Sequence, residues 1–74
     1  MNDQLEIRLQ RNDGALVRLL GLAERRGFPP KWVSAISLNP QLMQVRLRVE
    51  ALRPLDQLVV QMRKLHDVQA VEWT

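Results

Sequence analysis

The sequence contains no cysteine and no tyrosine, and its only aromatic residues are one phenylalanine and two tryptophans. Without cysteine, the chain can form neither a disulfide nor a thiolate metal site. The single histidine, His66, has no second histidine or cysteine with which to form a catalytic pair or a metal-ligand set. We therefore expect no catalytic residue, no metal site and no enzymatic activity in this chain.

Long apolar runs are also absent. No run reaches the length of a membrane span and no signal-peptide pattern is present, so we expect a cytoplasmic protein without membrane contact. The hydrophobic content of 46% argues against disorder. The 74 residues predict a single domain, 1–74. A domain of this size buries only about 60% of its unfolded surface, so a second copy or a partner chain would add useful burial.

The clearest pattern is the alternation of apolar and polar residues, which predicts half-buried β-strands. It occurs over residues 5–10 and again over residues 43–50. Residues 32–38 predict another strand, with apolar residues on both faces, and residues 68–73 predict a short last one. The turn signal at 39–41 predicts that the second and third strands form an antiparallel hairpin.

Two stretches between these strands have the spacing of an amphipathic helix. The first helix has its apolar stripe at Leu16, Leu19, Leu20 and Ala23. We expect Asn12 or Asp13 to cap its start and Gly27 to end it in a left-handed conformation. Gly14 is unusual, because a helix start does not require glycine, and it suggests a close approach of backbone or ligand.

The second helix has its apolar stripe at Leu55, Leu58, Val59, Met62 and Leu65. We expect Pro54 at its first position, Asp56 in its first turn and Lys64 in its last turn. The helix exit is expected at His66 and Asp67, with a solvated histidine. Asp13, Asp56 and Asp67 are interpreted as caps and turn formers.

The order β-α-β-β-α-β predicts an α+β, ferredoxin-like fold, a four-stranded antiparallel sheet with two helices on one face. Right-handed crossovers place the first and third strands in the centre and the other two at the edges. The helix side of the sheet should carry Leu5, Ile7, Leu9, Val45, Leu47 and Val49. The open side should carry Arg8, Arg46 and Arg48, which we regard as candidate partner-binding residues.

The second strand is predicted at an edge although it is apolar on both faces. An unprotected apolar edge promotes association with another chain. We therefore expect a homodimer, or a docked partner, along this edge. The candidate edge residues are Trp32, Val33, Ser34, Ala35 and Ile36.

Several runs make the pattern more specific: Asp13-Gly14-Ala15-Leu16, then Arg18-Leu19-Leu20-Gly21-Leu22, Arg25-Arg26-Gly27-Phe28, and Lys64-Leu65-His66-Asp67-Val68. Together they resemble ACT domains, which are ferredoxin-like regulatory modules that bind amino acids. The resemblance is greatest to the small regulatory subunit of acetolactate synthase in its short, single-domain form of the isozyme II type. It covers essentially the whole chain, and the length matches the short form.

The resemblance implies a regulatory subunit without catalysis of its own. Such subunits bind and activate a large catalytic subunit in the biosynthesis of isoleucine and valine. Thiamine diphosphate, magnesium and FAD are expected on that large subunit, and no cofactor is expected on this chain. Some members sense valine near the loop before the first helix. The corresponding candidate effector residues here are Asn12, Asp13, Gly14, Ala15 and Leu16.

Two positions depart from the valine-sensitive pattern. Where those subunits have an asparagine after the glycine–aromatic pair, this chain has Pro29, which lacks an amide side chain and a backbone N–H. Where they have an asparagine three residues before the loop glycine, this chain has Arg11. We therefore expect valine to bind weakly or not at all, with the domain acting as a constitutive activator.

Two alternatives remain open. A stand-alone ACT module that senses another small molecule would have the same motifs. A nucleic-acid binder of the RRM type would share the order of elements, but RRM sheets stack bases on aromatic residues of the central strands. The central strands here have none, so no nucleic-acid partner is expected.

Overall fold

Four strands and two helices follow one another in the computed structural model, which describes residues 4–73. The strands are β1 (Gln4–Gln10), β2 (Pro30–Asn39), β3 (Leu42–Val49) and β4 (Val68–Trp73). The helices are α1 (Ala15–Arg25) and α2 (Leu55–Met62). The ferredoxin-like fold predicted from the sequence is confirmed. The ends of the predicted domain, 1–3 and 74, lie outside the described residues.

The sheet is antiparallel throughout and has the strand order β2-β3-β1-β4. The prediction that β1 and β3 are central and β2 and β4 are edges is therefore confirmed. Val33 of β2 pairs with Leu47 of β3, and the next pair along these strands is Trp32 with Arg48. Since directly paired residues share a face, Val33 lies on the helix side and Trp32 on the open side.

The core lies between the sheet and the two helices. All six apolar residues that were assigned to the helix side of β1 and β3 are fully buried: Leu5, Ile7, Leu9, Val45, Leu47 and Val49. Leu19 and Ala23 of α1 are buried as predicted, whereas Leu16 and Leu20 are only partly buried. Leu22, outside the predicted stripe, is also buried. Each large apolar side chain in such a core contributes about 1.5–3 kcal/mol.

The start of α1 differs from the prediction. Its N-cap is Gly14, and no side chain caps it, so the expected cap by Asn12 or Asp13 is wrong. The backbone instead closes a turn in which the Ala15 N–H donates to the Asn12 carbonyl at 3.0 Å. Gly14 is the third residue of this turn and has φ +75°, the left-handed conformation that favours glycine there.

The end of α1 is as predicted. Gly27 has φ +87°, and the Phe28 N–H donates to the Ala23 carbonyl at 2.9 Å. The Gly27 N–H donates to the Glu24 carbonyl at 3.2 Å. This pair of hydrogen bonds is the Schellman motif, which satisfies the last carbonyl groups of a helix and requires a residue that tolerates positive φ. The motif also directs Phe28, which is 1% exposed, into the core.

The bounds of α2 correct two predictions. Pro54 is the residue before the helix rather than its first residue, because its extended ψ of 128° is not helical. The helix ends at Met62, so Lys64 and Leu65 lie in the following turn and not in the last helical turn. Leu65 still packs against the core from that turn. Asp56 lies in the first turn of α2, as predicted.

Candidate functional site

A buried carboxylate organises the corner where the loop between β1 and α1 meets the loop before β4. Asp67 is 1% exposed and is the only buried polar or charged side chain within residues 4–73. Asn12 donates from Nδ2 to its Oδ1 at 2.7 Å. Arg18 donates from Nε to its Oδ2 at 2.9 Å, and Nη2 lies 2.8 Å from the same oxygen. Asp67 lies in the turn before β4, as interpreted from the sequence, but its carboxylate is buried there, which the sequence did not predict.

The backbone reinforces this corner. The Gln10 N–H donates to the Asp67 carbonyl at 2.7 Å, so the last residue of β1 is tied to the same aspartate. The His66 side chain is 83% exposed, and its Nε2 lies 3.4 Å from Asp67 Oδ1. A solvated histidine at the exit from α2 was expected.

The hydrogen bond from Asn12, together with the hydrogen bonds and the charge of Arg18, lowers the pKa of the Asp67 carboxyl below its ordinary value of 3.8. Burial acts in the opposite direction, and the nearby His66 adds a smaller lowering effect. A carboxyl whose pKa is lowered on folding stabilises the folded state above its unfolded pKa. That contribution is therefore present at neutral pH and is lost as the pH falls below 3.8 through the folded pKa.

The sequence suggested that another group lies close to Gly14, and in the structure that group is the Arg18 side chain. A Cβ atom placed on Gly14 would lie 3.0 Å from Nη1 of Arg18. The guanidinium therefore lies between the Asp67 carboxylate and the backbone of Gly14. Both its position and the positive φ explain why glycine occurs at this point.

The five candidate effector residues do not form one open site. The amide of Asn12 is bonded to Asp67, Ala15 is buried and Leu16 is partly buried. Asp13 and Gly14 are exposed. A polar cleft of about 440 Å³ lies beside the loop, lined by Gln10, Arg11, Asn12, Asn39, Pro40, Gln41, Leu42 and Gln69. The sequence did not predict this cleft, because its residues come from three separate turns and strand ends.

Arg11 connects the loop to the β2–β3 hairpin. Its N–H donates to the Gln41 carbonyl at 2.9 Å, and its Nη1 donates to Ser37 Oγ at 3.0 Å. Asn39 shapes the hairpin turn by accepting hydrogen bonds from the N–H groups of Gln41 and Leu42 at 2.8 and 2.9 Å. The loop is thus held on both sides by contacts within the chain.

The edge strand β2 is exposed on both faces. On the open side, Trp32 is 47% and Ile36 is 60% exposed, and on the helix side Val33 is 38% exposed. Ala35 is also exposed on the helix side, and Ser34 is intermediate. The prediction of two apolar faces on an edge strand is confirmed, and within the described residues both faces remain partly exposed.

The open face of the sheet is polar, and two of its three predicted arginines have partners. Arg46 Nε lies 2.9 Å from Glu6 Oε2, and Gln44 donates to the other oxygen of Glu6 at 2.8 Å. Arg48 lies over the ring of Trp32, with its Cζ 5.7 Å from the ring centre. The guanidinium of Arg48 also donates to Gln4 Oε1 at 3.0 Å.

Arg8 differs from these two arginines, because no side chain among residues 4–73 forms an ion pair or hydrogen bond with it. It lies in a shallow cleft of about 130 Å³ with Glu6, Gln44, Ala70 and Glu72. Arg8, Arg46 and Arg48 all have exposed side chains, as predicted for the open face.

No group of three or more histidine, cysteine or acidic side chains comes together within residues 4–73 in a way that could hold a metal ion. Neither helix is long and apolar enough to span a membrane. The arrangement contains a fixed loop, a polar cleft and an exposed strand edge, all of which suit binding.

Comparison with solved structures shows the same fold in proteins with different names. The acetolactate synthase small subunit from Thermotoga maritima superposes with a TM-score of 0.84 at 21% identity, over 99% of this chain and 47% of that one. The ACT domain from GTP pyrophosphokinase of Chlorobium tepidum gives 0.80 at 15% identity, over 96% and 94% of the two chains. The C-terminal domain of the MgtC protein from Mycobacterium tuberculosis gives 0.71 at 14% identity, over 96% and 82%. At these identities the likeness shows the fold alone.

The chain spans about half the length of the Thermotoga small subunit. No curated protein matches it significantly in sequence. The model of the ACT domain family, in contrast, matches residues 11–71, which include both helices and most of the sheet. This chain therefore belongs to the ACT domain family.

Proposed function

We propose that this ACT domain is the small regulatory subunit of an acetolactate synthase, which binds and activates a large thiamine-diphosphate-dependent catalytic subunit. Thiamine diphosphate, magnesium and FAD would be held by that large subunit. The reaction would serve the biosynthesis of branched-chain amino acids in the cytoplasm. The small subunit would contribute binding surfaces and no catalytic group.

The observation that carries the proposal is the exposed apolar edge of β2 on a domain of the ACT family. A regulatory domain acts by contact, and the apolar side chains of β2 are exposed on both faces of the strand. The fold it shares with the Thermotoga small subunit is consistent with the role. The runs at 26–28 and 64–68, which resemble the short form of the acetolactate synthase small subunit, favour this role over that of other ACT domains.

We propose that β2 joins two copies of the chain edge to edge, through residues Trp32 to Ile36. The free N–H and C=O groups of this edge would complete a continuous sheet across the dimer. The exposed Ile36 and Val33 would then leave water on opposite faces of that sheet. Removing apolar surface from water stabilises association by about 25 cal/mol for each Å² buried.

The open face is the proposed contact for the large subunit. Arg8, Arg46 and Arg48 are exposed there on the two central strands, and Trp32 adds an aromatic surface beside Arg48. Arginine and tryptophan are the residue types that most often dominate binding energy at protein interfaces. Glu6 and Gln4 hold two of these arginines in position before a partner arrives.

A stand-alone ACT module that senses a small molecule is the second candidate. The polar cleft beside the loop favours it, because five amide side chains and Arg11 line the cleft and could bind a polar ligand. A nucleic-acid role remains disfavoured, since neither central strand presents an aromatic side chain on the open face.

The test is an affinity pull-down from the native cell with the tagged chain as bait. We expect a large thiamine-dependent subunit to be retained and to be identified by mass spectrometry. The Ile36→Lys variant serves as a second bait, and it should retain less of the large subunit if dimerisation supports binding. Recovery of a bound amino acid without any protein partner would favour the stand-alone sensor and contradict the proposal.

A further inference from the structure

The corner around Asp67 contains a carboxylate that belongs to the chain itself and lies beside the regulatory loop. Two residues from the other side of the corner, Asn12 and Arg18, bind its two oxygens at 2.7–2.9 Å. Asn12 is part of the loop, and Arg18 is in the first turns of the helix that follows. The loop and the start of the following helix are therefore both attached to one buried anion.

The position of Arg18 extends this attachment to the backbone. Nε and Nη2 face Asp67, whereas Nη1 lies beside Gly14 at the turn that begins α1. The carboxylate thus fixes the guanidinium, and the guanidinium packs against the turn. The carbonyl of Asp67 holds Gln10 at the other end of the loop, at 2.7 Å.

An ion pair between two exposed side chains would not fix the loop in this way. Exposed pairs contribute little, because water and salt compete with both partners. Asp67 is 1% exposed, and its oxygens have no alternative partner within the described residues besides His66 at 3.4 Å. A buried acceptor that loses its donors is destabilised, because its desolvation is no longer compensated. This favours the conformation in which the loop stays bound to the carboxylate.

We infer that Asp67 is an internal anion that holds the β1–α1 loop, residues 11–14, in one conformation without an external effector. The inference rests on the proposed function only in treating this loop as the regulatory element. Asp67 is a positioning residue, since it acts on the loop through Asn12 and Arg18. The domain would then reach its ordered, activating state without any amino acid bound.

Chemical rescue on the intact chain tests this role. Asp67→Ala removes the carboxylate and leaves a space of matching size between Asn12 and Arg18. Amide hydrogen exchange should then become about tenfold faster or more at the hydrogen-bonded amides of the loop and the helix start, those of Arg11, Asn12, Ala15 and Arg18, whereas the buried amides of β3 keep their protection. Formate or acetate at tens of millimolar should restore slow exchange in the loop, because either ion can occupy the vacated space.

Two controls keep the result interpretable. Sodium chloride at equal ionic strength should restore little, and equal recovery in chloride would overturn the inference, because screening of Arg18 would then explain it. Asp56→Asn removes an exposed aspartate from α2 and should leave loop exchange unchanged.

Asp67→Asn keeps the side-chain volume and removes the charge. It tests the role of the carboxylate if the alanine variant does not fold. Faster exchange confined to the loop supports the inference. Unchanged loop exchange in Asp67→Asn overturns it, and so does general unfolding, which would make Asp67 a residue of the core. These measurements use this chain alone. Failure of the proposed function would instead appear as the absence of a large subunit from the pull-down.

Discussion

The corner around Asp67 and the edge strand β2 differ in how many of their contacts are made within the chain. In the corner, a buried carboxylate receives hydrogen bonds from Asn12 and Arg18. Along β2, Ile36 and Trp32 remain about half exposed, and the strand edge has no neighbour within the described chain. The buried carboxylate has its hydrogen-bond partners within the chain, whereas the outer edge of β2 has none among the described residues.

Because of this difference, we expect substitutions in the two regions to affect different properties: folding stability in the corner and association along β2. Changes in the corner should alter the folding or the order of this chain, because all the partners are internal. Changes along β2 should alter the binding of another chain and leave the fold nearly intact. The other edge strand, β4, provides an internal reference, since it is shorter and its Val71 is buried beneath the helix layer.

The largest expected effect is on association through β2. Ile36→Lys places a charge in the proposed apolar contact and should weaken dimerisation by on the order of a few kcal/mol if the site is desolvated. Ala70→Lys introduces the same lysine at an exposed position of the other edge strand, β4, and should not change the oligomeric state. Analytical ultracentrifugation at tens of micromolar measures both. A monomeric unmodified protein at that concentration would contradict the edge-to-edge dimer.

The next effect is on stability in the corner. Gly14→Ala introduces a side chain at φ +75°, with its Cβ 3.0 Å from Arg18 Nη1. The left-handed conformation alone costs about 1–2 kcal/mol, which corresponds to a loss of roughly 4–16 °C in Tm for a domain of this size. Displacement of Arg18 from Asp67 should add to the loss.

Gly21→Ala is the matched control for that substitution. Gly21 lies within α1, where alanine is favoured over glycine by about 1 kcal/mol. Its added Cβ would meet only the flexible end of Arg25 at 3.1 Å. Thermal unfolding should therefore show a lower Tm for Gly14→Ala and an equal or higher Tm for Gly21→Ala. A similar decrease in both would mean that the turn at Gly14 is not special.

A smaller effect on stability is expected on the open face. Replacing Arg46 and Arg48 by serine should change the free energy of unfolding by about 0.5 kcal/mol or less per site, since both are exposed. Activation of the large subunit should fall, because these side chains form its proposed contact. The control replaces Arg25 and Arg26 at the end of α1. A large loss of stability with activation intact would reverse the assignment.

The smallest expected effect is that of valine. The amide of Asn12 is committed to Asp67 and the guanidinium of Arg11 to Ser37, and Pro29 has no amide to offer. A ligand at about 100 times its Kd would stabilise the fold by roughly 2.7 kcal/mol, or about ten degrees in Tm for a small domain. We expect no such shift in millimolar valine. A shift of that size with valine, absent with glycine, would show that the sensing site persists.

Local patterns were sufficient to predict most of the fold. The alternation in β1 and β3 identified the buried face, because side chains in a strand point to opposite sides with a period of two. The positive φ of Gly27 followed from its place after a helix. The bounds of α2 were less accurate, since Leu65 continues the apolar pattern while its backbone has already left the helix.

The corner could not be predicted, because it depends on residues that are distant in the sequence. Asp67 is 55 residues from Asn12 and 49 from Arg18, and only the completed fold brings them together. The expected side-chain cap of α1 failed for a local reason: the N-cap position is Gly14, which has no side chain. An aspartate beside a solvated histidine gave no local signal of burial.

We propose that this domain acts by contact, activating the large subunit of an acetolactate synthase while its own loop is held by Asp67. The most direct test is the rate of acetolactate formation by a purified large subunit as this chain is added, without valine. We predict that the rate rises and saturates, and that the Ile36→Lys chain needs a higher concentration for the same increase. A rate that stays at its basal value while the added chain is folded would contradict the account.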